Sequence, residues 1–463
     1  MGILFLFPAV TAVFYGEKEG LVYLFTGLSC FIAGTLGSMK KPKNKVFYAR
    51  EGFVCVSLSW IMLSLIGAFP FYLTGEIPHY TDALFEVVSG FTTTGSSILT
   101  DVEKMSYTSM FFRCLTNWIG GMGVLVFIMS VLPLAGSYNM HLMRAESTGA
   151  EVGKIVPKIK DTAKILYGMY IGLSVILVIS FLISGLSFYD SLILSFSTMG
   201  TGGFANLNSS LGGYSASVQT IACIFMIISG INFNAYYLLS HKKFKEFLKM
   251  EEVRIYLLIV FSGALLITFQ IRGLFTSFKE AFHHAIFQLA SVMTTTGFAT
   301  VDFNLWPTFS KCILLMVMVI GGCAGSTSGG IKVSRVIILL RTLKKENNHL
   351  IHPRSVKRMR FNDSPILPET QKSVHSFIIA YVLLIVLSTL LVSLDGYDFT
   401  STFTAVLSSV GNVGPGLELV GPSGNYGFFS DFSKLVLIFD MLAGRLEIFP
   451  LMVLFNINTW KNR

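Results

Sequence analysis

Four short segments contain the residues best suited to chemistry. They are Thr93-Thr94-Gly95, Gly200-Thr201-Gly202, Thr295-Thr296-Gly297 and Asn412-Val413-Gly414. None holds a carboxylate or a strong base, so their ligands are backbone carbonyls and threonine hydroxyls. Hard oxygens of this kind suit a desolvated monovalent cation, whose hydration shell a ring of carbonyls can replace. Glycine is needed where the backbone must turn successive carbonyls the same way. The size and charge match is potassium-like, and the fourth segment is expected to offer backbone oxygens only.

Two further features carry charge or backbone freedom inside apolar sequence. Gly321-Gly322-Cys323-Ala324-Gly325-Ser326-Thr327-Ser328-Gly329-Gly330 interrupts an otherwise continuous apolar run. A phosphate-cradling loop is the competing reading, but the segment lacks a preceding strand and a GK[ST] ending. Lys332 follows as a lipid-interface anchor or as part of the loop's hydrogen bonding. Arg445 lies within DMLAGRLEIF, and an arginine at bilayer depth is a functional-site candidate. It either faces the ion path as a barrier or holds backbone carbonyls of neighbouring helices. Neither Asp440 nor Glu447, two residues on and on another face, is expected to neutralise it simply.

The elements that position these residues repeat at roughly 100-residue intervals. The copies read TDALFEVVSGFTTTGSS (Thr81–Ser97), YDSLILSFSTMGTGGFA (Tyr189–Ala205), FHHAIFQLASVMTTTGFAT (Phe282–Thr300) and STFTAVLSSVGNVGPG (Ser401–Gly416). This alignment puts Gly95, Gly202, Gly297 and Gly414 in one column, with Phe85, Leu192, Phe287 and Thr404 ten positions earlier. Each copy has a long apolar span before it, near 51–73, 163–186, 253–271 and 374–394. A segment of about 10–12 apolar residues follows, too short to cross a ~30 Å hydrocarbon core at 1.5 Å per residue. After the glycine loop comes a second long span, near 109–135, 216–239, 309–340 and 433–459. Irregular backbone at membrane depth is tolerated only against protein or a water-filled cavity. The four breaks are therefore expected to share one axis, each half-helix aiming its partly negative C-terminal end at it.

Composition agrees with a polytopic membrane protein. Of 463 residues, 52% are hydrophobic and 13% charged, against roughly 25% charged in soluble domains. The net charge of +9 reports topology rather than a nucleic-acid partner. Five basic residues fall in 40–50, five in 144–164, five in 242–254 and ten in 332–372, with Lys461 and Arg463 at the end. That alternation is the positive-inside pattern, giving ten crossings, four re-entrant hairpins and both termini in the cytoplasm. Two spans, near 2–15 and 21–39, precede the first unit, and the opening one is short for a full crossing. Met1–Phe14 lacks a basic n-region and a cleavage site, so no cleavable signal is expected. The six cysteines show no CxxC or zinc spacing, so neither disulfides nor a metal cluster is expected.

The chain resembles the Trk/Ktr/HKT superfamily of potassium transporters, most closely the TrkH branch of bacterial Trk-type membrane subunits. Beyond the four loops, the resemblance rests on NWIGGMGVLVFIMSVLP (Asn117–Pro133), MRAES (Met143–Ser147) and KIVPKIKDTAKILY (Lys154–Tyr167). It also rests on GGCAGSTSGGIKVSR (Gly321–Arg335) and MLAGRLEIFPLMVLF (Met441–Phe455). It implies an all-α fold of four M1–P-loop–M2 units around a central pore, preceded by two extra transmembrane helices. The boundaries are 1–45 for the extra helices, then 46–140, 141–245, 246–345 and 371–463 for the pore units, with a cytoplasmic linker over 346–370. The resemblance further implies potassium at the twelve loop residues named above. A glycine at position 95 goes with potassium, whereas some plant relatives with serine there pass sodium. The implied gate comprises Gly321, Gly322, Gly325, Ser326, Thr327, Ser328, Gly329, Gly330, Lys332 and Arg445. A homodimer in the bacterial inner (cytoplasmic) membrane is implied, with no bound cofactor. Regulation by ATP, ADP or NAD would run through a separate cytosolic ring of TrkA-type subunits, docked on the basic inner face that includes 341–360.

Three classes compete. A cation-conducting subunit accounts for four short hairpins on one axis. A sodium- or proton-coupled symporter, or a less selective monovalent cation channel, stays open beside it, although a carrier normally shows charged midplane residues and large repeated halves. An intramembrane enzyme needs a nucleophile–base pair, an HExxH or paired aspartates, and none is present. His283 and His284 read as interfacial residues rather than a metal site.

Overall fold

Long apolar stretches form the outermost helices. In the computed structural model these are α2 (Gly20–Ser38), α3 (Ala49–Leu73), α6 (Ile159–Ile183), α11 (Glu251–Ile271) and α15 (Pro368–Val392). The structure describes residues 1–39, 49–123, 159–354, 359–362 and 364–460. Only 28% of the most apolar 18-residue window in Pro368–Asp395 is buried within the protein, so most of its apolar surface must find lipid. The opening helix α1 (Leu6–Tyr15) has ten residues, about 15 Å at 1.5 Å per residue. That is half a hydrocarbon core, as its short apolar run predicts.

Four half-length helices lie inside this palisade. They are α4 (Tyr80–Phe91), α7 (Phe188–Gly200), α12 (Phe278–Met293) and α16 (Phe399–Gly411). Three begin at a capping side chain: Ser187, Ser277 and Asp398 accept the backbone N–H groups of Asp190, Glu280 and Ser401, which satisfies an orphan donor at each helix start. Each packs between the long helix before it and a second helix after it.

Those second helices differ from the expectation of four long spans, only the third interrupted. They are α5 (Tyr107–Gly121), α8 (Ala216–Ser229), α13 (Thr308–Ile320) and α17 (Asp431–Arg445), each ending after 13 to 15 residues. In unit 2 the chain bends by 93° into α9 (Phe233–Ser240). In unit 4, Glu447 and Ile448 take positive φ before α18 (Phe449–Phe455). In unit 3 the loop 321–332 intervenes before α14 (Val333–Ile351). The continuation of unit 1, with MRAES and part of KIVPKIKDTAKILY, lies outside the described residues. Among the described residues, the second spans of units 2, 3 and 4 are thus broken at a comparable place, and apolar residues on both sides hide the break from a hydropathy reading.

The linker after α14 contains a two-residue antiparallel ladder pairing Arg360 with Pro365 and Phe361 with Ser364. Among the described residues the fold is otherwise helical.

Candidate functional site

All four half-helices end in the same turn. Thr93, Thr201, Thr295 and Asn412 adopt left-handed backbone at φ 54–56°, and the second residue after each is a glycine at positive φ. Those glycines are Gly95, Gly203, Gly297 and Gly414. The second loop is therefore one residue out of the sequence register: its equivalent triplet is Thr201-Gly202-Gly203, and Gly200 is the last helical residue. The N–H groups of Thr94, Gly202, Thr296 and Val413 reach back to the carbonyls of Ser89, Ser197, Ser291 and Ser408. This is the six-to-one bond of a Schellman motif, and it reveals a serine column that the sequence reading missed.

The four turns close a ring. A Cβ on Gly95 would lie 2.3 Å from the carbonyl oxygen of Gly202, and one on Gly203 would lie 2.0 Å from that of Thr296. On Gly297 it would meet the Val413 oxygen at 2.3 Å, and on Gly414 the Thr94 oxygen at 2.7 Å. Each glycine thus abuts the central carbonyl of the next loop, in chain order and back to the start. Positive φ and lack of space independently demand glycine at these positions.

Threonine gains no such relief. A β-branched residue in left-handed backbone is strained by about 1–2 kcal/mol, and such strain gathers at functional sites. The hydroxyls are largely committed. Thr94 Oγ1 pairs with Thr92 Oγ1 at 2.7 Å and receives Asn412 Nδ2 at 3.0 Å, while Thr296 Oγ1 pairs with Thr294 Oγ1 at 2.7 Å. Asn412 also donates to the Met441 carbonyl at 2.9 Å. The Thr93 hydroxyl is buried without a partner among the described residues. Carbonyls, more than hydroxyls, remain free for a ligand at the ring.

One side of the ring opens into a polar vestibule of about 180 Å³, and Gly95, Gly203, Gly297 and Gly414 all line it. Arg113 lines it too, its charge compensated by Glu86 at 2.6 Å and its guanidinium stacked 3.6 Å over Phe204. Glu86 further accepts from Ser97 Oγ and the Ile98 N–H, and Arg113 donates to the Ala205 carbonyl. This buried pair anchors the exits of the first two loops. At the rim, Asn208 Nδ2 donates to Asp101 at 2.8 Å, and with Lys104 it holds that carboxyl below its ordinary value.

The segment 321–330 crosses the other side. Its ends are tied by bonds from the N–H groups of Ile331, Lys332 and Val333 to the carbonyls of Val319, Ile320 and Gly322. Gly329 N–H donates to the Thr295 hydroxyl at 2.6 Å, and a Cβ on Gly329 would lie 2.3 Å from the Gly411 oxygen. Thr327 Oγ1 reaches the Ser229 carbonyl, and Cys323 N–H the Gly230 carbonyl. Lys332 is 1% exposed and donates to the Ser328 carbonyl, which places it with the loop rather than at a lipid interface.

Arg445, last residue of α17, donates to the carbonyls of Thr327, Gly120 and Gly121. It therefore binds neighbouring backbone, as one reading expected, and one of those carbonyls belongs to the crossing loop. Glu447 pairs with Arg335 at 2.6 Å, and Asp440 accepts from Ser388 at 2.6 Å. His283 and His284 hydrogen-bond Gln219 and Thr300 at 2.9 Å, tying α12 to its neighbours.

A family model described as TrkH, cation transport protein, matches residues 21–461. The Trk system potassium uptake protein TrkH of Escherichia coli K12 is 34% identical, over 98% of this chain and 95% of that protein. The Trk system potassium uptake protein TrkI of Halomonas elongata is 31% identical, over 100% and 94% respectively. A crystal structure of the potassium transporter TrkH from Vibrio parahaemolyticus superposes with a TM-score of 0.88 at 32% identity, covering 99% of this chain and 96% of that one.

Proposed function

Because the chain belongs to the TrkH family of cation transport proteins, we propose that it takes up potassium through the ring of four glycine turns. It is a multi-pass membrane transporter, not an enzyme. The observation that carries the potassium reading is the closed contact between Gly95, Gly203, Gly297 and Gly414 and the carbonyls of Gly202, Thr296, Val413 and Thr94. A ring of carbonyls can replace water around a desolvated cation. Four half-helices end on this ring, each contributing about half a negative elementary charge. Together they favour a cation over an anion without a fixed carboxylate. The relatives named as potassium uptake proteins supply the ion's identity.

In this reading the vestibule faces outward and the loop 321–330 with Arg445 gates the path beneath the ring. The basic segments then lie in the cytoplasm of a bacterium, with both termini. Their charge suits a cytosolic nucleotide-binding ring of TrkA type, and the membrane subunit works as a homodimer with one path per protomer.

The test is flux of potassium, rubidium, sodium and lithium into liposomes holding the purified subunit. Potassium and rubidium should pass well and sodium and lithium poorly; equal rates would overturn the reading. Proton-coupled symport has one observation in its favour, the fully buried Asp440 with its Oδ2 unpartnered among the described residues. An inward proton current tracking potassium uptake would decide for it.

A further inference from the structure

Glu252, the second residue of α11, is buried and faces the equally buried Lys332, its counter-charge. Its Oε1 accepts the N–H of Ala324, inside the crossing loop, at 2.7 Å and that of Ser334, in the first turn of α14, at 3.1 Å. One carboxylate oxygen thus pins the loop midway and again just past its end. A buried N–H left without an acceptor is costly, so both attachments depend on where Glu252 stands.

What fixes Glu252 comes from far along the chain. The first N–H groups of a helix need acceptors from outside it, and Met250, the residue before α11, supplies no capping side chain. The N–H of Glu251 donates instead to Asn362 Oδ1 at 2.9 Å, 111 residues further on. Asn362 lies at the turn of the short hairpin in which Arg360 pairs with Pro365 and Phe361 with Ser364. Its backbone is left-handed, at φ 46°, a conformation asparagine tolerates. Arg341 of α14 binds this hairpin to the same helix start, donating to the Arg360 carbonyl and to the Glu251 carboxylate. Phe361, Asn362 and Ile366 on one side and Glu252, Ala324 and Ser334 on the other line a cavity of about 150 Å³. Hairpin and loop face each other across this space, and α11 and α14 link them.

We infer that Glu252 is a positioning residue for the crossing loop, held in place by the hairpin that carries Asn362. Displacing the hairpin uncaps α11, lets Glu252 shift and frees the loop at Ala324 and Ser334. The inference rests on the proposed function only for its consequence, that a loop so freed opens the ion path. The holding of the loop is independent of that reading.

The test is hydrogen exchange across 322–334 in the purified full chain, with potassium flux measured on the same preparations. Asn362 is exposed, so Asn362→Ala leaves the packed interior intact. It should speed exchange at 322–334 about fivefold, what one helix-capping acceptor is worth, although Asn362 makes no hydrogen bond to that stretch among the described residues. Asn362→Asp keeps an acceptor and should restore slow exchange. Glu252→Ala should speed it about tenfold or more, since two buried donors lose their partner. Glu252→Gln keeps an acceptor without the charge facing Lys332 and should fall between. Exchange in the half-helix α4 should stay the same throughout. Unchanged exchange at 322–334 in Asn362→Ala, while the first turn of α11 exchanges faster, would overturn the inference. So would Asn362→Asp behaving like Asn362→Ala, or an acceleration that extends to α4. Faster exchange at 322–334 with unchanged flux would support the inference and count against the gate reading alone.

Discussion

The backbone N–H of Gly329 donates to the Thr295 hydroxyl at 2.6 Å, joining the crossing loop to the strained left-handed residue of the third turn. The ring and the crossing loop are therefore joined directly. Thr295→Val removes the acceptor and leaves a buried donor unpaired, which costs the loop about 1–3 kcal/mol. Each 1.4 kcal/mol is about tenfold in an equilibrium. We expect the loop to leave its place at least several times more often, with potassium flux rising in proportion at unchanged protein yield. Flux equal to that of the unmodified protein would show that the bond does not hold the barrier.

Gly95 and Gly203 make a paired test of the ring's register. A Cβ on either would stand within 2.3 Å of a carbonyl oxygen of the next loop, on backbone that already excludes L side chains. Gly95→Ala, Gly95→Ser and Gly203→Ala should all displace a ring carbonyl and weaken discrimination between potassium and sodium. Competitive flux with both ions present measures it. Preserved discrimination in Gly203→Ala would return the second loop to the register centred on Gly202.

Much of this architecture can be read from residue types. The four Thr/Gly loops, the long spans and the Gly-rich interruption at 321–330 stand out because glycine and threonine clusters break apolar runs visibly. The one-residue shift in the second loop had a signal too: Gly203-Phe204-Ala205 matches Gly297-Phe298-Ala299 letter for letter. Aligning Thr-Gly to Thr-Gly outweighed it, since the first glycine of a Gly-Gly pair looks equivalent until φ is known. The breaks after Ser229 and Arg445 had fainter signals. Gly230 and the capping Asn232 mark the first, while Glu447 and Ile448 turn the second without a glycine, and apolar residues on either side carry the hydropathy through both. The partners of Arg445 and Lys332 are carbonyls, and backbone oxygens carry no sequence signature.

Glu86 and Arg113 offer a test of stability and conduction together. The pair is buried, with side chains 0% and 3% exposed, and Arg113 borders the vestibule. Removing one partner of a buried pair costs about 3–5 kcal/mol because the other charge stays uncompensated. Glu86→Ala should lower the unfolding temperature and also leave a bare positive charge beside the entering cation, reducing flux per folded molecule. Glu86→Gln with Arg113→Met should recover stability and flux. Thermal unfolding and flux measured on the same preparations check both; a double variant no better than Glu86→Ala would show that the charge is not the cause.

Arg445 decides whether the crossing loop is a barrier. Its guanidinium donates to Thr327 in the loop and to Gly120 and Gly121 at the end of α5, so it ties the loop to that helix end. On the proposed gate reading it also sets a permanent positive charge in the way of a passing cation. Two unit charges about 6 Å apart at an effective dielectric of 20 repel by roughly 3 kcal/mol, enough to slow crossing by about two orders of magnitude. Arg445→Ala removes both effects, so potassium flux should rise while the preference for potassium over sodium, set at the ring, stays. Shortening 321–330 should do the same by another route. If the arginine served only to satisfy carbonyls, its loss would instead lower folded yield and flux together. Flux per correctly folded molecule separates the two outcomes, and a value at or below that of the unmodified protein would end the gate assignment.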